Sequence, residues 1–483
     1  MGMLARLTLG RYIFTLAPLL IVLPGITAAA TKSVAGDAPA GVASPTDAEI
    51  VRLVRYRISR QRTALSAVIA ILRPEGRGII TFHDPHATDT PSVEANTIFE
   101  IASLSKIFTA LLLADAAVRE QVRLDDPLSA CVPPGVAVPQ FADSPIRLVD
   151  LATHGSGLPL RPNNLTAKAV DTPNKYAGYT LDQLYGGLPH YPLTRRPGTG
   201  FEYSNLGFGL LGQALARELH EPFADLLRER ITRPLGMTDT HFGEDPATAS
   251  RRAQGHGADL KPVGQTDDGA LDPAGGLRST ADDLLKLLAL FVNATGPDEL
   301  VSAARLMLTV DRPGDDPMTR MALGWRRTSV HGEIYYWSNG SGDGSRTFMG
   351  FNPARRIAVV ALADTAGGNG FDDIARKVLD PKQPVDMKIL PRRAAISLPE
   401  AALARVIGSY QYAPDDRIDV SRGETGLILT TSSGQLVIQP WSRTGYFAAG
   451  MDLLIDFQNA ATGPASALVL RQGGQRFVYK RLS

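Results

Sequence analysis

Residues 99–106 read Phe-Glu-Ile-Ala-Ser-Leu-Ser-Lys, and an almost wholly apolar run follows them. This pattern predicts a turn that leads into a buried helix. Ser103 and Lys106 are three residues apart, so they lie on one helical face and the amine can reach the hydroxyl. A serine at a helix N-terminus also lies where the backbone N–H groups and the helix dipole favour negative charge. We therefore predict that Ser103 is a nucleophile activated by Lys106, because serine needs a neighbouring base.

A second motif, Tyr-x-Asn, occurs once in the chain, at Tyr203 and Asn205. Taken alone, this segment is typical of a capped helix start after the turn at Pro197 and Gly198, since Ser204 or Asn205 can supply the cap. Its combination with the Ser-x-x-Lys motif favours a catalytic interpretation. We predict that Tyr203 belongs to the same site as Ser103 and Lys106 and that Asn205 binds a substrate amide.

These motifs resemble those of a known family. Residues 99–106 are similar to the active-site segment of class C β-lactamases and of the related low-molecular-weight penicillin-binding proteins, the D-alanyl-D-alanine carboxypeptidases. The resemblance implies an α/β fold in which an antiparallel sheet is flanked by helices and stands beside an all-helical lobe. Further segments that resemble recurring parts of the same family are residues 150–159, 233–237 and 274–280.

The resemblance implies that Tyr203 is the proton shuttle and that Lys106 tunes both Ser103 and Tyr203. An unperturbed lysine and an unperturbed tyrosine both titrate at about pH 10, so their proton affinities have to be brought together. Burial lowers the pKa of an amine, and a nearby cation stabilises a phenolate. The sequence leaves open which of the two groups is the general base.

The third motif of the family, Lys-Thr-Gly or His-x-Gly, falls on Ser338, Asn339 and Gly340. Ser338 is neutral, whereas the usual cation helps to hold a substrate carboxylate, and a charge-assisted hydrogen bond is about twice as strong as a neutral one. Gly340 permits close approach of a ligand. The N–H of Ser341 is predicted to pair with that of the nucleophile as an oxyanion hole. Arg346 is predicted either to restore a positive charge across the hairpin or to face solvent.

The function predicted from these motifs is that of a serine hydrolase resembling a β-lactamase or a D-Ala-D-Ala carboxypeptidase. Its partner would be a small molecule or peptide with an acyl group: a peptidoglycan peptide, a β-lactam or an ester. Loss of the cation in the third motif favours an esterase of the same fold as the alternative, and a non-catalytic binding protein is the second alternative. The absence of a Gly-x-Ser-x-Gly elbow argues against an α/β-hydrolase.

The N-terminus has the features of a targeting segment. Arg6 and Arg11 precede an uncharged stretch that ends in three alanines, which predicts a signal peptide over residues 1–30 and a secreted, periplasmic protein. An uncleaved membrane anchor is the alternative, because a span needs about 20 apolar residues. Residues 31–46 are rich in Ala, Gly and Pro and are predicted to form a disordered spacer.

Composition divides the remainder of the chain. Residues 47–380 are predicted to form the hydrolase domain, and residues 381–399, with four prolines, the linker. Residues 400–483 contain short alternating runs separated by turn signals, which predicts a small all-β domain. This last segment resembles the lipocalin-like appendage that follows the hydrolase domain in some family members.

Charge and cysteine content exclude several classes of function. The 483 residues carry a formal net charge of +1, which argues against nucleic-acid binding. Cys131 is the single cysteine, so no internal disulfide can form. The histidines follow no known metal-ligand spacing, and we predict neither a metal nor a cofactor.

Overall fold

The structure is a computed structural model that divides into two compact units, Ser44–Ile389 and the C-terminal residues Leu390–Ser483. The predicted signal peptide, most of the predicted spacer and part of the predicted linker lie outside the described residues. Among the described residues, no helix is both long and apolar enough to cross a bilayer. The structure describes residues 43–88, 90–165, 174, 176–368, 370–387, 395–413, 416–423, 426–431, 434–448, 453–461, 463–472 and 475–482.

The first unit is built on an antiparallel sheet of eight strands in the order β2-β1-β13-β12-β11-β10-β9-β8. Its central strands are apolar on both faces, as expected for a sheet that is covered by helices on each side. The strands of this unit are β1 (Ser66–Arg73), β2 (Gly76–His83), β3 (Phe99–Glu100), β4 (Gln140–Phe141), β5 (Ser144–Pro145), β6 (His241–Phe242), β7 (Leu277–Ser279), β8 (Arg312–Pro313), β9 (Thr319–Met321), β10 (Arg326–Val330), β11 (Glu333–Ser341), β12 (Arg346–Asn352) and β13 (Ile357–Ala363).

Helices cover both faces of the sheet, and further helices form a separate lobe. The first and the last helix of the unit pack on one face, and the helix that follows the nucleophile lies in the larger core on the other. The fold class predicted from the sequence is confirmed. The helices are α1 (Asp47–Tyr56), α2 (Ser105–Val118), α3 (Leu148–Ala152), α4 (Leu181–Gly187), α5 (Asn205–Glu218), α6 (Phe223–Leu227), α7 (Asp272–Gly275), α8 (Ala281–Asn293), α9 (Asp298–Thr309) and α10 (Asp372–Leu379).

Helix α2 is buried around its whole circumference, because its sequence is apolar on every face. Phe108, Leu111 and Leu112 are fully buried in the larger core, and even Lys106 is only 3% exposed. A helix that is hydrophobic all round belongs in the interior of a protein. The nucleophile therefore lies on a rigid support at the centre of the unit.

The second unit is a closed barrel of eight antiparallel strands, in which β14 pairs with β21. Its interior is filled by fully buried side chains such as Tyr410, Phe457 and Leu468. The predicted all-β C-terminal domain is thus observed as a barrel with a packed core. Its elements are α11 (Glu400–Ala404), β14 (Gly408–Ala413), β15 (Asp416–Arg422), β16 (Leu427–Thr431), β17 (Gly434–Pro440), β18 (Gly445–Phe447), β19 (Leu453–Gln458), β20 (Ala467–Gln472) and β21 (Gln475–Arg481).

Gly212 lets α5 pack directly against α7, and its replacement by alanine is expected to destabilise the protein by about 1–3 kcal/mol. A Cβ at this position would overlap the ring of Pro273, which cannot move aside as a flexible side chain would. Gly186 in α4 is the matched control, because a Cβ there meets no atom within 4 Å. Gly186→Ala should be neutral or stabilising by up to about 1 kcal/mol. Urea unfolding of both variants checks the pair, and equal effects would contradict the packing argument.

Candidate active site

The backbone at the nucleophile is held in a strained turn. Ala102 has φ +48°, which is uncommon for a residue other than glycine, and begins the 3-10 turn Ala102–Leu104. The hydroxyl of Ser105 donates to the carbonyl of Ala102 at 2.7 Å and accepts from the N–H of Leu277 at 3.1 Å. These bonds tie the turn to β7. Ser103 is therefore presented in one orientation, in the 3-10 turn that leads into α2.

The hairpin of β11 and β12 fixes the same turn from the other side. Thr347 and Ser345 donate hydroxyl bonds of 2.9 and 2.8 Å to the carbonyls of Ile101 and Glu100. Gly340 on β11 faces this contact, and a Cβ there would overlap the Thr347 hydroxyl and the Ile101 carbonyl. Only glycine lets the strand lie this close to the nucleophile turn.

The predicted catalytic side chains Ser103, Lys106 and Tyr203 are in direct contact. The Lys106 amine donates to the Ser103 Oγ at 3.0 Å, and the Tyr203 hydroxyl lies 2.7 Å from the same oxygen. Lys106 also donates to the carbonyl of Ala274 at 2.6 Å, and this carbonyl belongs to α7. The structure thus brings together two groups that can exchange a proton with one serine hydroxyl.

The environment of Tyr203 favours its phenolate. Burial raises the pKa of the phenol. The positive charge of Lys106, the hydrogen bonds with Ser103 and Lys106 and the charge of Arg326 outweigh burial, and the pKa of Tyr203 is lowered. The Lys106 amine lies 5.0 Å from the centroid of the Tyr203 ring. A tyrosine with a lowered pKa is present at neutral pH as the proton-accepting phenolate in a larger fraction than an ordinary tyrosine.

Asn205 lies at the start of α5, next to the cap of that helix. The Ser204 hydroxyl accepts from the N–H of Gly207 at 2.8 Å, which is the N-cap bond. The Asn205 amide nitrogen lies 3.5 Å from the Tyr176 hydroxyl. Its buried Oδ1 has no hydrogen-bond partner among the described residues. A buried acceptor without a partner can accept an N–H from a bound substrate.

Ser341 shares a cavity with the nucleophile, whereas Ser338 is buried within the sheet. The cavity has a volume of about 90 Å³, and Ser103, Asn205 and Ser341 are among its lining residues. Ser338 is 5% exposed. It lies two residues before Gly340 on the same strand, so both residues face the side of the sheet that packs against α2. The predicted oxyanion partner is therefore beside the serine.

Two predicted substrate-binding side chains, Asn339 and Arg346, are not at the site. Asn339 donates to the Asp372 carboxylate at 2.8 Å, and Arg346 donates to the carbonyl of Gly368 at 3.0 Å. Both therefore lie on the far face of the sheet, beside α10. The expectation that Arg346 supplies the missing cation is corrected, because alternate residues of a strand face opposite sides.

A cation that the sequence analysis missed, Arg326, lies near the site. Its guanidinium is 5.8 Å from the centroid of the Tyr203 ring and 5.1 Å from that of Trp337, the residue before Ser338. The side chain is 12% exposed, and its Nε pairs with Asp315 at 3.0 Å. Arg326 begins β10, and Ser338 lies just beyond the end of the pairing between β10 and β11. The positive charge that Ser338 lacks is thus present on the neighbouring strand.

The second residue that the sequence analysis missed is His154, which lies beside Tyr203. Its ring centroid is 4.3 Å from that of Tyr203, and the side chain is 3% exposed.

Among the described residues, no group of three His, Cys, Asp or Glu side chains could hold a metal ion. Together the fold and these side chains define a class, a serine hydrolase with a β-lactamase-like fold.

Comparison with known proteins gives the family. The chain belongs to the Beta-lactamase family, which matches residues 60–381. Over 310 residues it is 29% identical to the D-alanyl-D-alanine-carboxypeptidase/endopeptidase AmpH of Escherichia coli K12, covering 59% of this chain and 76% of that protein. As its family and relatives imply, it is a serine hydrolase.

Solved structures share the fold. The β-lactamase/D-alanine carboxypeptidase from Pseudomonas syringae has a TM-score of 0.59 at 20% identity and covers 69% of this chain and 98% of its own. An octameric penicillin-binding protein homologue from Pyrococcus abyssi has a TM-score of 0.60 at 19% identity and covers 90% of this chain and 100% of its own.

Proposed function

We propose that the protein hydrolyses its substrate through an acyl-enzyme on Ser103, with Lys106 and Tyr203 moving the proton. The observation that carries this proposal is the pair of contacts at the Ser103 Oγ, 3.0 Å from the Lys106 amine and 2.7 Å from the Tyr203 hydroxyl. Both groups are within the hydrogen-bond reach that proton transfer requires.

In the proposed reaction, the Ser103 Oγ forms a bond to the substrate carbonyl carbon and its proton passes to the Tyr203 oxygen. The N–H groups of Ser103 and Ser341 stabilise the oxyanion. The bond from the carbonyl carbon to the leaving group then breaks, and the proton passes from Tyr203 to that group. Water attacks the acyl-enzyme with Tyr203 as base, which releases the acid and restores Ser103.

A β-lactam or an acyl-D-Ala-D-Ala peptide is the substrate class that we propose first. Both carry a carboxylate near the scissile bond, and the Arg326 guanidinium lies 5.8 Å from the centroid of the Tyr203 ring. An arginine can bind a carboxylate through two parallel charge-assisted hydrogen bonds. The relative AmpH is named for carboxypeptidase activity, which supports the same substrate class.

An esterase of the same fold is the second candidate, and Ser338 is the observation that favours it. A neutral serine in the third motif offers no charge to a carboxylate. Arg326 is also partly engaged by Asp315, which competes with any substrate carboxylate. A neutral ester needs neither group, so binding of the ester would not depend on Arg326.

Intact-mass spectrometry of the purified protein tests the proposal. The wild type is expected to gain the mass of the acyl group from a penicillin, a D-Ala-D-Ala peptide or a p-nitrophenyl ester, and Ser103→Ala is expected to gain none. The matched control is Ser302→Ala, which removes an exposed serine hydroxyl on α9, outside the nucleophile turn. Equal labelling of wild type and Ser103→Ala would refute the acyl-enzyme. Labelling by the ester alone would favour the esterase.

We also propose that the protein is secreted to the periplasm. The basic start, apolar run and small residues of positions 1–30 support this location. The mature N-terminus should begin near residue 31 when the protein is isolated from a periplasmic fraction. An intact N-terminus in a membrane fraction would favour the anchor instead.

A further inference from the structure

We propose that His154 is a positioning residue that holds the phenol of Tyr203 against Ser103 and Lys106. His154 lies in segment 150–159, which resembles a recurring part of the family, but the mechanism above assigns it no step. The inference rests on the proposed function only in what Tyr203 does. The effect of His154 on the position of Tyr203 can be measured without substrate.

His154 binds the backbone on both sides of Tyr203. Its carbonyl accepts from the N–H of Glu202 at 2.8 Å, and its Nδ1 accepts from the N–H of Ser204 at 3.1 Å. These two bonds fix the Phe201–Glu202 and Tyr203–Ser204 peptide groups. A backbone held on both sides leaves the side chain with few directions to point.

The imidazole ring also limits rotation of the phenol. Its centroid is 4.3 Å from that of Tyr203 with an interplanar angle of 32°, and 4.9 Å from that of Phe208. His154 is 3% exposed, so protein atoms surround its ring. The phenol is therefore packed on one side by a ring that cannot move outward.

His154 has to be neutral to make these contacts. An amide N–H can only donate, so the Nδ1 that receives the Ser204 bond carries no proton. Burial, together with the charges of Lys106 and Arg326, lowers the pKa of His154 well below its usual range. The ring is thus uncharged in this arrangement and leaves the cations to act on Tyr203.

The backbone of His154 restricts which residue can replace it. Its φ is +56°, in the left-handed region where Asn, Asp and His are enriched among non-glycine residues. Asparagine places its Oδ1 the same number of bonds from Cα as the Nδ1 of histidine. His154→Asn therefore keeps the backbone conformation and the acceptor but removes the ring, whereas His154→Phe keeps a ring and removes the acceptor.

The test compares these two variants with the wild type in acylation of Ser103 by a p-nitrophenyl ester. Both are expected to lose at least about 10-fold in the acylation rate with KM within about threefold, because a displacement of about 1 Å can cost about 100-fold. His154→Phe should lose more, since it leaves the Ser204 N–H without an acceptor. The acid limb of the rate profile should move to higher pH as Tyr203 moves away from Lys106.

Leu215→Ala is the control for a merely structural effect. Leu215 is fully buried in the same helix as Asn205, and its truncation should cost about 2–5 kcal/mol of stability without moving the acid limb. If Leu215→Ala lowers the rate and shifts the limb as the His154 variants do, the positioning role is refuted. Wild-type rates and an unshifted limb in both His154 variants would refute it as well.

Ultraviolet titration separates this inference from the proposed function. The difference between each protein and its Tyr203→Phe counterpart reads the pKa of Tyr203 without any substrate. A higher Tyr203 pKa in both His154 variants is expected even if Ser103 is never acylated. An unchanged Tyr203 pKa would overturn the inference, whereas a wild type that no probe acylates would overturn only the proposed function.

Discussion

Replacing Lys106 with methionine is expected to lower the rate of Ser103 acylation by about 1,000- to 10,000-fold. The Lys106 amine donates to the Ser103 Oγ, and its charge is among the causes that lower the pKa of Tyr203. Methionine keeps much of the buried volume of lysine but removes both effects at once. Stopped-flow measurement of acylation by a p-nitrophenyl ester checks the loss. The acid limb should also move to higher pH, because the pKa of Tyr203 rises.

Lys286→Met is the matched control for this prediction. Lys286 also donates to a backbone carbonyl, that of Gly236 at 2.7 Å, but it lies on α8 and makes no contact with Ser103. Its replacement removes a lysine, a carbonyl bond and the ion pairs with Asp282 and Asp283 without touching the proposed machinery. Lys106→Met leaves the Ala274 carbonyl without its donor, which should cost about 1–3 kcal/mol of stability. More than a tenth of wild-type activity in Lys106→Met would contradict the role of the amine.

The part of the site that the sequence predicts is the part set by local geometry. Ser103 and Lys106 are one helical turn apart, so their contact follows as soon as the helix is recognised. Tyr203 and Asn205 lie at the start of a second helix, where a capping serine marks the boundary. Their approach to Ser103 is a long-range contact. It was predicted through the resemblance to a family, and no spacing in the chain encodes it.

The face of a strand is harder to predict, and this explains the error at Arg346. A shift of one residue sends every side chain to the opposite side of a sheet. Asn339 and Arg346 lie in the hairpin of β11 and β12. Their side chains lie on the face opposite the nucleophile, where they contact Asp372 and Gly368. Only the pairing of β11 with β12 establishes which face carries the nucleophile.

The strand that carries Arg326 was not predicted, although the sequence contains a signal for it. Residues 326–330 are polar and basic, which is unusual for a strand, but they precede His331 and Gly332. Both residues have positive φ, 56° and 81°, as in the two-residue turns that match the twist of a hairpin. Such a turn at His331 and Gly332 predicts that β10 pairs with β11. This pairing places Arg326 opposite Trp337, next to the third motif.

Arg326→Leu is expected to lower acylation by a carboxylate-bearing substrate by about 30- to 100-fold relative to a neutral ester. The Arg326 guanidinium lies near Tyr203 and can bind the carboxylate, in place of the cation that the third motif lacks at Ser338. Its loss also removes one of the charges that lower the pKa of Tyr203, so both substrates should show an acid limb at higher pH. The ratio of the two rates at each pH isolates carboxylate binding from this shared effect.

A second substitution supplies the control. Adding Ser338→Lys to Arg326→Leu returns a positive charge to the position where the family's third motif has one, and should restore most of the preference for the carboxylate. Parallel rates for a penicillin and a p-nitrophenyl ester in wild type, single and double variants measure this. If Arg326→Leu slows both substrates equally, Arg326 acts only through the pKa of Tyr203. The neutral third motif then indicates an enzyme that does not select a carboxylate, and the esterase becomes the better assignment.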